Sequence, residues 1–464
     1  MSPRGSSAVR CAPPVAGWLL NAAYLLLLTA AAPLLVYRRL RYGKYRAGWR
    51  EKFLGAVPIR RSAEPCLWLH AVSVGEVLLL RPIISAIRAA RPDIGIWIST
   101  TTPTGRAVAQ EKFPNAVVFY CPLDFTWAVR RAIRRVRPDV VALAELELWP
   151  NLIAAVHASG CPLLLLNGRM GERSFRGYRR ARIWIGRILA RFEAITAQTI
   201  EYADRFAALG APRDRIVVTG SVKYDGLEVD RQQPRTLELR SAFGLSAGDA
   251  VFIAGSTQAI EEAAALDAWE SLRPEFPNLR LVIVPRHAER FDDAARMIER
   301  RGHLVHRRSS GHNAGESSST GRGRSAVSEP SKSSVLLLDT LGELGACWGL
   351  ADIAFVGGSL TSRGGQNMLE PAAYGAAVIV GPNTWNFRHD VELLRGREAL
   401  TIIPDGAALA AAIRELLRNP EARRGQGQRA RNLVLAQQGA TARVVGLVLE
   451  SLSGAAAGAT RRAA

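Results

Sequence analysis

The sequence predicts an α/β protein: two similar units in tandem, each a parallel sheet covered on both faces by helices, behind one apolar N-terminal helix. Three observations lead there. Short apolar runs alternate with stretches that repeat apolar residues at helical spacing. The runs are continuous rather than alternating, as strands buried on both faces require. The pattern stops at a polar patch around residues 225–236 and then restarts.

Residues 15–37 carry no charge and match the roughly 20 residues that one membrane crossing needs. Arg38, Arg39, Arg41, Lys44, Arg46 and Arg50 follow, and fewer basic residues precede, which puts the C-terminal side in the cytoplasm. The expectation is an uncleaved single-pass anchor. A cleaved signal peptide would leave Pro33 just after an Ala30/Ala32 cut, a poor arrangement. A helix lying in one leaflet is the remaining option.

Strands are then expected at 67–72, 94–100, 116–121, 140–144, 163–167 and 216–219, with helices between them, among these 76–90 and 126–136. The second set is 250–254, 281–284, 335–338, 353–356 and 377–380. Two such units imply a cleft, with ligands at the C-terminal ends of the strands. Residues 1–50 are thus the anchor with its basic flank, 51–222 and 223–450 the two units, and 451–464 an unstructured tail. The Ser-, Gly- and Arg-rich stretch 306–334 is expected to be a disordered insertion in the second unit. His303, His306 and His312 fall in or beside it without a carboxylate partner, so a solvated loop accounts for them better than a metal site.

Composition narrows the function. A 464-residue chain with 48% hydrophobic residues has material for a sizeable core. Its net charge of +20 favours polyanionic partners: nucleic acid, an anionic membrane face or phosphorylated substrates. The five cysteines are scattered without Cys-x-x-Cys, which speaks for reduced thiols rather than disulfides or zinc. Arg173, Arg176, Arg179, Arg180, Arg182, Arg187 and Arg191 alternate with Phe175, Ile183, Trp184 and Ile188. Such a basic amphipathic surface suits anionic lipid, although a solvated arginine face has the same composition.

Chemistry-bearing residues follow strands repeatedly. In residues 357–375 two glycine pairs, Gly357-Gly358 and Gly364-Gly365, follow an apolar run and precede a helical pattern opening near Asn367. Such a turn lets backbone approach a ligand and aims free N–H groups at an anion. Glu370, one turn in, can accept bonds from sugar hydroxyls. A plain strand-turn-helix joint has the same glycines. Glu76 ends His-Ala-Val-Ser-Val-Gly-Glu at a strand-to-helix junction, where a carboxylate can act as general base or serve only as a helix-end charge. Glu145 and Glu147 directly follow a strand; an extended backbone would put them on one side. Lys223, in Gly-Ser-Val-Lys-Tyr-Asp, can neutralise phosphate charge, as can Arg286 in Val-Pro-Arg-His. Thr340-Leu-Gly-Glu343 sits likewise after a strand.

In order along the chain, LWLHAVSVGE, STTTPTG, ELELWPNL, GSVKYD, VPRHAERF, DTLGEL, FVGGSLTSRGGQNMLEPAAYG and GPNTWNF closely resemble the 3-deoxy-D-manno-octulosonic acid (Kdo) transferase family of lipopolysaccharide biosynthesis. The resemblance runs from Trp68 to Phe387 and implies a GT-B fold, two Rossmann-like domains facing across a cleft, the first binding acceptor and the second nucleotide sugar. It implies inverting transfer of Kdo from CMP-Kdo to a lipid A precursor at the inner membrane, with the catalytic domains cytoplasmic. By the same resemblance Glu76 is the proton acceptor, and Glu145 and Lys223 stabilise the transition state. Pro285, Arg286, Leu341, Gly342, Glu343, Asn367, Met368, Leu369 and Glu370 hold CMP. Gln366 and Gln258 stand where some family members have His; they keep hydrogen bonding but do not titrate. No Asp-x-Asp metal motif lies near these segments, so neither a metal nor another cofactor is expected. A GT-B enzyme using a UDP-sugar and a non-catalytic membrane adaptor are the alternatives. Nucleic-acid binding would leave the glycine segment unused.

Overall fold

The computed structural model describes residues 14–42, 47–312 and 333–463. Among them the chain forms two seven-stranded sheets, and every strand pair is parallel. The first holds β1 (Cys66–His70), β2 (Gly95–Thr100), β3 (Val117–Tyr120), β4 (Val140–Ala144), β5 (Leu163–Gly168), β6 (Ala194–Ala197) and β7 (Ile216–Val218), in the order β3-β2-β1-β4-β5-β6-β7. The second holds β8 (Ala250–Thr257), β9 (Leu279–Pro285), β10 (Val305–Arg307), β11 (Val335–Leu337), β12 (Ile353–Val356), β13 (Ala377–Val380) and β14 (Leu400–Ile402). Its order is β10-β11-β9-β8-β12-β13-β14. In each sheet the order reverses beside the first strand, between β1 and β4 and between β8 and β12. That reversal opens a crevice at the carboxyl ends of the strands, where this fold class binds ligands.

Burial explains the strand sequences. β1, β4 and β12 are buried along their whole length, so both faces must be apolar. β6 and β14 escaped the sequence reading because they are short and carry small or polar residues. β10, Val-His-Arg, reads as loop and is held by pairing with β11.

Two compact units result: one runs to Gly226 and includes residues from Gln438 onward, the other spans Leu227–Gln437. The last part of the chain differs from expectation. The helix Ala440–Ala463 belongs to the first unit, and Val444, Val448 and Leu452 lie in the same core as Leu69, Leu80 and Val140. Asp225 accepts Gly439 N–H (2.6 Å), and Ser451 donates to Glu193 (2.8 Å). An unstructured tail from 451 is therefore corrected for residues 451–463. The expected insertion is also shorter at both ends. His306 bonds the Ala242 carbonyl (3.0 Å), Arg307 pairs with Asp339 (2.6 Å), and Arg308 is buried against Glu238 and Glu343. Residues 313–332 of that expected insertion lie outside the described residues.

The N-terminal helix Pro14–Tyr42 contains an 18-residue stretch, Gly17–Leu34, long and apolar enough to cross a membrane. Its outward face exposes Trp18, Leu19, Leu26, Leu27 and Leu40.

The helix Pro420–Ala436 packs so closely that a Cβ on Gly427 would collide with the Gly375 carbonyl oxygen. Alanine normally favours a helix over glycine by about 1 kcal/mol. Here Gly427→Ala is expected to destabilise the second unit by about 1–3 kcal/mol, read as a lower midpoint in urea or thermal unfolding.

Candidate active site

In the first unit, the chain leaves β1 into the helix Val74–Ala90, and Ser73 caps it by accepting Glu76 N–H at 3.3 Å. The Glu76 carboxylate returns the interaction. Its Oε2 accepts Val72 N–H and its Oε1 accepts the Ser73 hydroxyl, both at 2.8 Å. This reciprocal cap satisfies helix-end donors and fixes the carboxylate at the strand's C-terminal edge. Beneath it, buried His70 has Nδ1 2.9 Å from Ser99 Oγ, and burial holds its pKa down to about 4, so it stays neutral at pH 7.

Glu145 and Glu147 do not continue the extended strand. Glu145 turns the backbone into the left-handed region at φ 57°, and its N–H bonds the Leu166 carbonyl at 2.8 Å. The alternation expected for an extended backbone is thus corrected, yet both carboxylates still gather near Glu76. Burial raises the Glu145 carboxyl above the usual carboxylate range, and Glu76 raises it further, against the pull of Arg169 and Lys223. Glu147 is raised by burial first, then by Glu76 and Glu145, while the Trp149 indole N–H (2.7 Å) opposes the shift. Lys223 sits in the 3-10 turn Val222–Tyr224. Its neighbour Val222 donates to Asn167 Oδ1 at 3.1 Å, tying that turn to the end of β5. Glu76, Glu145 and Lys223, singled out in the sequence, are brought together here with Arg169. Ser73, Asn167 and Arg169 were not singled out; the Ser-x-x-Glu spacing was the available signal for Ser73.

In the second unit, Glu261 organises the glycine turn. It is fully buried and accepts the N–H groups of Gly358 (2.8 Å), Leu360 (2.9 Å) and Gln258 (3.0 Å). A Cβ on Gly357 would stand 2.5 Å from the Ser256 carbonyl oxygen, so only glycine lets the turn pass there. Asn367 follows: its amide donates to Glu370 (3.0 Å) and its oxygen accepts Leu369 N–H (3.2 Å). Burial raises the Glu370 carboxyl; the Asn367 and Trp348 hydrogen bonds and the nearby Arg286 oppose that. Arg286 leaves β9 with its N–H on the Thr257 carbonyl (3.0 Å). Pro285 ends β9, and Met368 and Leu369 are buried under the turn. Gly342 adopts φ 84°, Leu341 is exposed, and Glu343 pairs with Arg308 at 3.1 Å. The helix expected from Asn367 is only Leu369–Ala373.

Two Rossmann-like units, one with an acidic cluster at its strand ends and one with a glycine-rich turn braced by a buried carboxylate, are the parts of a GT-B-class nucleotide-sugar enzyme. A sequence profile of the 3-deoxy-D-manno-octulosonic-acid transferase (kdotransferase) family matches residues 47–226. The 3-deoxy-D-manno-octulosonic acid transferase of Haemophilus influenzae is 32% identical over 384 residues, covering 82% of this chain and 86% of the relative. That of Bordetella pertussis is 32% identical over 447 residues, covering 91% and 97%. The fold is similar to that of UDP-GlcNAc 2-epimerase from Neisseria meningitidis (TM-score 0.55, 11% identity, 84% of this chain and 100% of the other). The chain belongs to the Kdo transferase family, glycosyltransferases that transfer Kdo in lipopolysaccharide biosynthesis.

The raised pKa of Glu145 sets a pH-dependent stability. A carboxyl whose folded pKa lies above its unfolded value binds protons more tightly when folded, so ionising it costs stability as pH rises through the folded pKa. Glu145→Gln removes that cost. Its melting temperature is expected to exceed wild type at pH 7–8 and to converge with it near pH 4, read by differential scanning fluorimetry across pH.

Proposed function

We propose that the chain moves Kdo from CMP-Kdo to a hydroxyl of a lipid A precursor with inversion, at the cytoplasmic face of the inner membrane. The observation that carries this is the gathering of Glu76, Glu145, Glu147, Arg169 and Lys223 at the strand ends of the first unit. An alcohol is a weak nucleophile until its proton leaves. The Glu76 carboxylate, oriented by Val72 and Ser73, keeps lone pairs for that proton. The alkoxide-like oxygen attacks the anomeric carbon as the bond to the CMP phosphate breaks on the opposite side. Positive charge builds on the sugar ring as it does in glycoside hydrolysis, and Glu145 offsets it. Negative charge builds on the departing phosphate, and Lys223 offsets that.

The donor's nucleotide is assigned to the second unit. Arg286 presents a planar guanidinium suited to phosphate. Glu370, already bonded by Asn367, has acceptor capacity left for ribose hydroxyls. Pro285, Leu341, Gly342 and Glu343 are assigned to the same nucleotide site, with Met368 and Leu369 supporting it from beneath the turn. Membrane attachment is assigned to the helix Pro14–Tyr42.

The full-length chain, given CMP-Kdo and a lipid A precursor, is expected to release CMP and raise the acceptor's mass by whole Kdo residues. Glu76→Gln is expected to lower turnover by about 10²–10⁴-fold while CMP-Kdo still binds. Transfer from a UDP-sugar but not from CMP-Kdo, or an active Glu76→Gln enzyme, would sink this reading.

A further inference from the structure

We propose that the N-terminal helix lies along the membrane face, docked on the first unit, and walls a groove that takes one acyl chain of a phosphate-bearing membrane lipid. This deepens the acceptor assignment and rests on it, but its test does not need sugar transfer.

The helix's first half is fixed by polar contacts inside its most apolar stretch. Asn21, 2% exposed, donates to Thr126 Oγ1 (2.7 Å) and accepts Thr126 N–H (3.1 Å). One turn on, the Tyr24 hydroxyl donates to Asp124 (3.2 Å). Asp124 is itself bound by the backbone of Asn151 and Leu152 at the start of the helix Pro150–Ala158. A crossing helix would have these residues in hydrocarbon, where an unsatisfied amide is costly. The far end is tethered too. From Tyr42 to Ala47 the chain can reach at most about 18 Å. Gly48, next in line, lies against Tyr120 of the same unit. Both ends are thus held to one body, whereas a spanning helix must separate its ends by about 30 Å of hydrocarbon. In this reading a helix in one leaflet takes the place of the expected single-pass crossing, its exposed Leu26, Leu27 and Leu40 facing lipid.

Between this helix and the helices Pro150–Ala158 and Arg182–Leu189 lies a groove of about 540 Å³. Trp18, Leu20, Ala154, Ala155, Ile185 and Ile188 give it apolar walls. Its charged lining is one-sided: Arg130, Arg187 and Arg191, with no carboxylate. Arg130 and Arg187 are solvent-exposed, so a lipid phosphate can meet them while its chain enters the groove. The volume falls within the roughly 300–1,000 Å³ of small-molecule pockets.

The test uses the full chain in phosphatidylcholine vesicles doped with phosphatidic acid carrying a mid-chain diazirine. Photolysis is expected to label peptides 150–158 and 182–191. Ala155→Trp, which fills the groove, is expected to cut that labelling at least fivefold. Arg130→Gln with Arg187→Gln should keep the labelling but lose its preference for phosphatidic acid over the matching diacylglycerol probe. Labelling confined to the helix's outward face, or unchanged in Ala155→Trp, overturns the groove. An N-terminal protease-cleavable tag should be cut from the same membrane side as a C-terminal one; cutting from opposite sides overturns the in-plane helix. A chain inactive toward every Kdo acceptor would defeat the proposed function and leave these labelling results standing.

Discussion

The site depends on left-handed backbone at the carboxyl ends of parallel strands. Three of the non-glycine residues with positive φ, Glu145, Asn167 and Ser256, stand at the ends of β4, β5 and β8. Each costs of order 1–3 kcal/mol and persists only where neighbours over-determine it. Glu145 is held by its bond to the Leu166 carbonyl, and Asn167 by Thr196, Gln198 and Val222. The return is directional. A strand that continued in ordinary extended backbone would carry Glu145 and Glu147 onward on one face of the sheet; the left-handed step at Glu145 turns the chain out of that path, and both carboxylates lie near Glu76.

The second unit solves the same problem with one buried carboxylate. Glycines alone make a turn that can adopt many conformations, since they surrender the most backbone freedom on folding. Glu261 selects one by accepting three N–H groups from two segments that are about a hundred residues apart in sequence. Charge-assisted bonds of this kind are shorter and stronger than neutral ones. They hold a glycine-rich loop in one conformation, with its backbone fixed in place.

How much of this could be read from the sequence follows the range of the forces involved. The strands were legible because burial on both faces demands an unbroken apolar run, as in Val140–Ala144 and Ile353–Val356. Glu76 was legible because its role begins with a local helix cap. The left-handed turn at Glu145 was not, since its cause is a bond to Leu166 on the neighbouring strand. Glu261 was not singled out in the sequence: locally it forms a capping box with Gln258, and its larger task concerns Gly358 and Leu360 on the turn after β12. The ordering of His306 to Arg308, which composition marks as disordered, comes from pairing with β11, the His306 bond to the Ala242 carbonyl, and ion pairs of Arg307 and Arg308 to Asp339, Glu238 and Glu343 that sequence spacing does not reveal.

An electrostatic tension remains, and it separates function from stability. In a chain of net charge +20, carboxylates could readily be dispersed among arginines, yet Glu76, Glu145 and Glu147 are gathered where each raises the free energy of the next. Arg169 and Lys223 relieve Glu145 only in part, because burial is the larger effect. A fold selected for stability alone would replace Glu145 with a neutral side chain of the same shape, since a buried charge is weak support even when paired. The raised carboxyls of Glu145 and Glu147, held at strand ends against that preference, mark a place kept for chemistry rather than for stability.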